Sequence, residues 1–501
     1  MQGGETGNNT GLRCLAGRRF PKPRTGYDVI LQSKSRPAAL RHRLSHSAVV
    51  GAALALVASA APAFAAQAGP AIASPVTAPP VLAPAPVAAP VPTAPTPDAV
   101  VPAPPVPVME PVMHWPLDDA RALLAVIEGI GTEGLAPADY KPAALKAAIA
   151  MGEGAELDAL ASKSFAWLAE DLRDGRTPMD ARVQWFAVDK DVDVNPTDAI
   201  MAKALETHDI AGTLVALDPT YPDYAVLKDA LAAAPRADAK GRALIRANMD
   251  RWRWFTRDMG EYYLMTNVPE FQLRLVRRDK IIRTYKTIVG KPGKTATPQL
   301  AEEVENIVFN PTWTVPQSIV VGEGLGAKYA ANPARALKAG YKVTKAPDGT
   351  MTVVQQPGPS NSLGLVKIDM PNPHAIYLHD TPGRALFNTA SRAYSHGCVR
   401  TERALELGMM LAILKAGKTP EEVTAISQSG KYTKVPLTSK MPVYIGYFTM
   451  AKDINGALIT WPDIYGRDAP VLASFEAPRV GNRARVTNEE VIEIQDDLQT
   501  S

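Results

Sequence analysis

Cysteine is nearly absent from this chain. Of 501 residues only Cys14 and Cys398 carry a thiol, which leaves no disulfide framework and no paired C-x-x-C spacing for a structural zinc site. Long hydrophobic runs are missing too. The apolar stretch Ala48–Ala60 is about thirteen residues, short of the roughly 20 that a membrane-spanning helix needs. There is no basic stripe and no interleaving of aromatic and basic residues. The formal charge of +3 misleads, because residues 1–65 hold nine Lys/Arg and two Asp/Glu, leaving 45 basic against 49 acidic residues in the remainder. That balance gives no basis for nucleic-acid binding.

What is present first is an export signal. Arg41 and Arg43 precede the apolar run, and Ala63-Phe64-Ala65 forms a small-x-small cleavage site. Residues 1–65 therefore read as a cleaved signal or pre-sequence, with the mature start near Ala66 and no transmembrane helix in the mature chain. An uncleaved anchor is the weaker reading, since the run is too short to span a bilayer. The forty residues ahead of Arg41 suit a true start downstream of Met1. Export to an oxidising compartment such as the periplasm removes Cys14. A lone Cys398 must then be either buried or used.

Four further segments follow. Residues 66–112 are almost wholly Pro, Ala and Val, an extended tether. Residues 113–248 turn helical, with Leu117, Leu123, Leu124 and Ile127 near a 3.6 period and a second helix from Leu157 to Gly175. A third helix opens at Tyr221-Pro222. This region reads as a scaffold without chemistry, its acidic pairs Asp118-Asp119 and Glu170-Asp171 on solvated faces with His208. Residues 249–475 are dense in Val, Ile, Tyr and Thr. Strands are expected over Phe271–Val276, Lys280–Val289, Val304–Phe309, Leu365–Ile368 and Ala375–Leu378. Residues 313–364 form an insertion with a short helix, Asn332–Ala339, and read as a cap or lid. Pro442–Met450 and Ala457–Trp461 suggest a closing hairpin about Asn455-Gly456, and residues 476–501 a polar, fraying tail. The fold class expected is α+β: a mostly antiparallel β domain with a cap insertion, preceded by a small helical domain.

The chemistry concentrates in His374–Arg400. Its centre is Ser395-His396-Gly397-Cys398-Val399-Arg400, with His379 nineteen residues before the cysteine. A thiol needs a base near neutral pH, and histidine is the usual one. Thr401–Leu414 suggests a helix capped by Thr401, placing Cys398 just ahead of a helix N-terminus that favours a thiolate. Gly397 permits a close backbone approach, so its N–H and that of Cys398 are candidates to face an oxyanion. Tyr377, two residues before His379 on one strand face, either lines the pocket or packs, the pocket being preferred. Ser395 suits a backbone role as well as a substrate contact, and His374 is read as structural. His379, His396 and Cys398 are also conceivable zinc ligands, but no good fourth ligand is evident, and neither metal nor cofactor is expected.

These motifs resemble the L,D-transpeptidase signature of YkuD-type catalytic domains. The likeness rests on Ser395–Arg400, on Leu378-His379-Asp380-Thr381-Pro382, and on Asn310–Pro316 and Pro462–Asp468. It extends over most of residues 250–470, while 113–240 is similar to the scaffold domain of large family members. The resemblance implies an envelope enzyme acting on peptidoglycan stem peptides. Cys398 would attack the bond between a diamino acid and the terminal D-alanine, and an amine of another stem would take the acyl group in a 3→3 cross-link. His379 would be the base, oriented by the backbone carbonyl of Asp380. His396 with the N–H groups of Gly397 and Cys398 would line the oxyanion hole. Arg400 would hold the loop or a substrate carboxylate, with Tyr377, Ser395 and Asn361 as further substrate contacts. It also implies acylation by carbapenems. One departure stands out: Arg236–Arg251 is too short for the peptidoglycan-binding module that large members carry at this junction, so capture falls to scaffold and cap or to an envelope protein partner. Two rivals remain, a carboxypeptidase using water as acceptor and a non-catalytic envelope scaffold.

Overall fold

The computed structural model describes residues 111–187, 194–322, 324–481 and 484–490. The signal, nearly all of the tether and the last eleven residues lie outside them. Among the described residues no helix is long and apolar enough to cross a membrane.

The helical region contains helices at Leu117–Gly129, Pro142–Met151, Ala155–Asp174, Thr197–Thr207, Ile210–Val215, Pro222–Ala233 and Ala239–Arg253. The heptad-like spacing of Leu123, Ile127, Phe165 and Leu168 puts these residues in one core beneath the fully buried Trp115. Trp115 donates from its indole nitrogen to Ser162 Oγ at 3.0 Å and from its backbone to Asp158 at 2.7 Å. The acidic pairs do not lie wholly in solvent as expected. Asp119 is buried beside His208 Nδ1 at 2.8 Å. Asp171 is fully buried and accepts from Tyr140 Oη. On a helix, adjacent residues point in directions about 100° apart, so one member of each pair faces inward.

The β-rich region after the helices is built on one eleven-stranded sheet. Its strands are β1 (Tyr262–Asn267), β2 (Gln272–Arg277), β3 (Lys280–Gly290), β4 (Leu300–Glu303) and β5 (Asn306–Phe309). The cap holds β6 (Trp313–Thr314), β7 (Tyr341–Lys345) and β8 (Met351–Gln355). Then come β9 (Val366–Asp369), β10 (Leu378–His379), β11 (Ala393–Ser395) and β12 (Val399–Thr401). Last are β13 (Thr433–Pro436), β14 (Pro442–Gly446), β15 (Met450–Lys452) and β16 (Leu458–Thr460). The main sheet runs β13-β5-β9-β10-β12-β3-β2-β1-β14-β4, with β11 beside β3. Most pairs are antiparallel; β1/β14, β10/β12 and β11/β3 are parallel. The fold is therefore α+β with a mostly antiparallel sheet.

Two local expectations fail here. Ala375–Leu378 is not a continuous strand, because Ala375 takes a positive φ of 50° and pairing begins only at Leu378. The closing hairpin is β15–β16 alone, turned by Asp453, whose carboxylate accepts the N–H groups of Asn455 and Ala457. β14 instead returns to the main sheet beside β1.

The cap is more regular than its sequence suggests. β6, β8 and β7 form a small sheet, with helices Gln317–Gly322, Leu325–Ala330 and Pro333–Lys338. Asn332 caps the last of these through the N–H of Arg335. Val315, Val320, Tyr329 and Val353 give the cap its own core.

Scaffold and catalytic regions are not joined by a linker. Helix Ala239–Arg253 crosses the expected boundary at 248/249 and is buried at its C-terminal end. Asp250 accepts the N–H of Arg176 at 2.6 Å, of Thr177 at 3.0 Å and of the Trp254 indole at 3.1 Å, with Arg253 at 3.6 Å. Burial opposes its ionisation, but Arg253 and these donors prevail and hold the carboxyl below its ordinary value. Residues after Pro478 do not fray at once, as the sequence suggested. Arg479 is buried, pairs with Glu170 and Asp171 and lies over the Trp167 ring at 4.5 Å.

Removing the Asp250 carboxylate leaves three buried N–H donors without their acceptor and Arg253 without its nearest carboxylate. Asp250→Ala is expected to lower stability by about 3–5 kcal/mol in urea denaturation at pH 7. Because the folded pKa is depressed, the native protein owes this stabilisation to pH values above the usual carboxylate range. It is lost as pH falls through the lower folded value, so the gap between native and variant narrows in acid.

Candidate active site

Strand register decides which side chains meet. β10 lies between β9 and β12, with Leu378 opposite Ile368 on one side and Val399 on the other. All three are fully buried in the core that also contains Leu407 and Leu411 of helix Ala404–Ala416. Each leucine buried there contributes about 2 kcal/mol. Side chains alternate along a strand, so His379 and its register partners Lys367 and Arg400 occupy the opposite face. Tyr377 and Cys398, each two residues earlier, share it. The contacts agree: the Tyr377 and His379 rings meet edge-on at 5.5 Å, and Lys367 Nζ lies 4.2 Å from the Tyr377 ring centre.

The cysteine turn is held by a short hydrogen-bond chain. Ser395 Oγ donates to the Cys398 carbonyl at 2.6 Å and accepts the Gly397 N–H at 3.1 Å. Gly397 sits at φ 125°, where a side chain would be strained. From below, Thr297 Oγ donates to the Gly397 carbonyl at 2.8 Å and accepts the Gly290 N–H at 2.9 Å. Tyr465 Oη donates to the Gly290 carbonyl at 2.6 Å and accepts the Thr297 N–H at 3.3 Å. The half-buried Cys398 directs its thiol at the Ala375 carbonyl, 3.5 Å away. That carbonyl belongs to the residue with the left-handed backbone.

Several expectations about this turn change. Cys398 does not precede a helix. Thr401 lies in β12, and the helix starts only at Ala404, after Arg403 in the left-handed region with no side-chain cap. Pairing of Arg400 and Thr401 with β3 outcompetes early helix formation. The Gly397 N–H is already given to Ser395 Oγ, and His396 is exposed at the turn. Asn361 is buried and spends its amide on the carbonyls of Pro311, Gln355 and Gln356, and its carbonyl on the Leu363 N–H. It pins the base of the cap and has nothing left for a substrate. Ser395 serves the backbone.

Electrostatics take over the part assigned to the helix dipole. His379 is buried and its Nδ1 lies 2.6 Å from the Asp380 carbonyl. A carbonyl only accepts, so Nδ1 carries the proton and Nε2 keeps the lone pair. Burial first, then the Arg400 charge, lowers the imidazole pKa to about 3. The ring is thus neutral throughout the ordinary pH range. Arg400 is itself largely buried, which lowers its pKa, while Cys398 and Tyr377 pull the other way. Its Nε is buried with no hydrogen-bond partner. One guanidinium therefore favours a thiolate at Cys398 and disfavours an imidazolium at His379. His379 offers its Nε2 lone pair as a proton acceptor, but the charge that favours the sulfur anion also makes the imidazolium costly, so the transfer is uphill in the resting site.

Sequence reasoning missed Thr297, Tyr465 and Lys367. The first two lie a hundred residues before and sixty-odd after the cysteine turn; Tyr465 fell inside the quoted segment Pro462–Asp468 without being given a role, and no motif flags Thr297. Lys367 was within an expected strand, and its pairing with His379 is legible only from register. His374 is buried against Phe186 with ring centres 4.0 Å apart. Among the described residues no group of three or more His, Cys, Asp and Glu side chains is placed to hold a metal.

Residues 261–420 match the YkuD family, the L,D-transpeptidase catalytic domain, and residues 113–231 match the Scaffold domain. The chain thus carries a segment matching the YkuD catalytic domain behind a segment matching the scaffold domain. It is 32% identical over 223 residues to a Haemophilus influenzae protein provisionally assigned as an L,D-transpeptidase, covering 42% of this chain and 45% of that protein. The chain therefore spans under half the length of this relative. The L,D-transpeptidase of Mycobacterium smegmatis is 13% identical, over 38% of this chain and 60% of that one, with a TM-score of 0.19. L,D-transpeptidase 1 of Mycobacterium tuberculosis is 12% identical, over 38% and 63%, with a TM-score of 0.16. Scores this low leave the fold to rest on the strand order itself.

Two outcomes are expected. Thr297→Val strips a buried N–H and a buried carbonyl of their partner, costing about 1–3 kcal/mol each. Alkylation of Cys398 by iodoacetamide should slow about tenfold, the effect of roughly 1.4 kcal/mol on a barrier, and Thr297→Ser should restore it. In a histidine-selective NMR titration, His379 should show no transition between pH 5 and 9. Arg400→Met removes the repelling charge, so its pKa should rise from about 3 while staying below the ordinary histidine value, because burial persists.

Proposed function

We propose that this protein is a cysteine-dependent peptidoglycan L,D-transpeptidase. The observation that carries this reading is the placement of Cys398, His379 and Arg400 on one face of β10 and β12 inside the YkuD domain. His379 Nε2 takes the thiol proton, and Arg400 steadies the sulfur anion. The thiolate forms a bond to the carbonyl carbon between the diamino acid and the terminal D-alanine of a tetrapeptide stem. The C–N bond breaks, the proton passes to the departing amine, and a thioester remains. An amine of a second stem then displaces the sulfur, giving a 3→3 cross-link and returning the proton to the site. Catalysis here follows the usual logic of an activated nucleophile and a developing oxyanion.

The reading extends to location and inhibition. The protein is exported by a cleaved signal to the periplasm and reaches the wall on its proline-rich tether. Carbapenems, whose strained carbonyl resembles the acyl donor, acylate Cys398.

The test uses purified protein with a disaccharide-tetrapeptide bearing diaminopimelate, with products read by mass spectrometry against Cys398→Ser. Release of D-alanine together with cross-linked dimers, both absent in the variant, is expected. Release without dimers would replace the transpeptidase by a carboxypeptidase. No release and no carbapenem adduct on Cys398 would leave the non-catalytic scaffold as the better reading.

A further inference from the structure

The loop that follows helix Ala155–Asp174 reaches the cysteine site from far outside its motif. Trp185 anchors it: the ring is buried, edge-on to Trp254 at 5.4 Å and to Phe255 at 4.9 Å. On either side of that anchor the backbone pairs with Gln299, just ahead of β4. The Gln299 N–H donates to the Gln184 carbonyl at 2.9 Å, and the Phe186 N–H donates to the Gln299 carbonyl at 3.0 Å. Gln299 Nε2 adds a bond to the Val183 carbonyl at 3.0 Å. Residues 183–186 fall within the stretch that matches the Scaffold domain, and Gln299 within the YkuD match.

From this seat two side chains reach two supports of the cysteine turn. Gln184 Oε1 accepts from Arg467 Nη2, which also donates to the Thr297 carbonyl at 3.1 Å. Thr297 is the residue that holds the Gly397 carbonyl. The second support is His374, on whose ring the Phe186 ring lies with centres 4.0 Å apart. His374 is buried, and its Nδ1 is enclosed without a hydrogen bond among the described residues. Packing therefore orients that ring, and Phe186 supplies the aromatic face. Next in the chain is Ala375, held at φ 50°, a conformation that costs a residue with a side chain energy and persists only where its surroundings enforce it. Asn372 closes this turn from within, its Oδ1 accepting the N–H groups of His374 and Ile376. Phe186 closes it from outside. The strained residue is the one whose carbonyl receives the Cys398 thiol at 3.5 Å.

We propose that residues 184–186 of the scaffold are a positioning element of the cysteine site, with Phe186 fixing His374 and, through it, the Ala375 carbonyl that aims the thiol. The scaffold thus takes part in turnover without touching substrate. The turnover half of this proposal rests on the transpeptidase reading above; the thiol half does not. A bond from S–H favours the neutral thiol, so a displaced carbonyl makes the thiolate easier to form while leaving the sulfur unaimed. The titratable and charged groups around the sulfur are His379 on β10, Arg400 on β12, Lys367 on β9, Tyr377 and His396, and a change at Phe186 leaves all five in place.

The experiment compares Phe186→Ala with the unaltered protein in two assays. Iodoacetamide alkylation, followed by mass spectrometry of the peptide carrying Cys398, should show its pH midpoint lowered by about half a unit, the size of a weak hydrogen bond. Release of D-alanine from the diaminopimelate-bearing disaccharide-tetrapeptide should lose about tenfold in kcat, with KM changed less than about twofold. Phe186→Tyr keeps the ring and should restore both. His374→Ala should reproduce the pattern of Phe186→Ala. If Phe186→Ala fails to fold, Phe186→Leu removes the ring with less volume lost and should move both readouts the same way. A loss of kcat with an unmoved midpoint would overturn the proposal, since the carbonyl would then still be in place. Both readouts unchanged, or a loss that Phe186→Tyr shares, would overturn it equally. A lowered midpoint in a protein that releases no D-alanine in any form would count against the transpeptidase and uphold the placement of the thiol.

Discussion

The parallel pairing of β10 with β12 is the constraint on which the site depends. Leu378 and Val399 face each other in the core, and their burial fixes the register. A slip of one residue would turn both into solvent and bring His379 and Arg400 inward. The hydrophobic face of the sheet thus sets the chemistry on the other. Two residues of strand are enough because the neighbours on both sides, β9 and β3, hold them.

Around that pairing the protein places two cations, Arg400 and Lys367, the second of them paired with Asp369 at 3.0 Å. Arg400 and Lys367 both push His379 toward its neutral form, and the sulfur of Cys398 is the group that gains from Arg400. Burial strengthens each of these effects, since a low-dielectric surrounding screens poorly. The result is a neutral imidazole on β10 and, on the neighbouring β12, an arginine whose charge favours the sulfur anion. The turn below stays in place through Thr297 and Tyr465, so the geometry does not depend on the cysteine itself.

The scaffold is part of the same body and not a passenger. Asp250, Arg251 and Arg253 are buried in the helix that leads into β1, with Arg251 on Asp468 at 2.7 Å and Arg479 returning to Asp171. Buried ions of this kind tolerate little displacement. Arg253 also donates to Tyr224 Oη at 2.7 Å and so ties helix Pro222–Ala233 to the helix that leads into β1.

The class of fold was legible in the sequence itself, and Cys398 and His379 stood out there as the candidate pair. A cysteine in Ser395-His396-Gly397-Cys398 and a histidine ending a short strand are local facts, and local facts survive folding. The strands around Phe271–Val276 and Lys280–Val289 were legible because alternation is written in the residues themselves. Only the tertiary structure decided what surrounds the pair. Thr401 looked like a helix cap until pairing with β3 claimed it, and Asn361 looked free for a substrate until the carbonyls of Pro311, Gln355 and Gln356 took its amide. Asp171 looked solvated until Tyr140 and Arg479 closed over it. Each of these outcomes turns on partners far away in sequence. Hydrogen bonds and charges are satisfied by whatever the fold brings near, and no spacing along the chain records that.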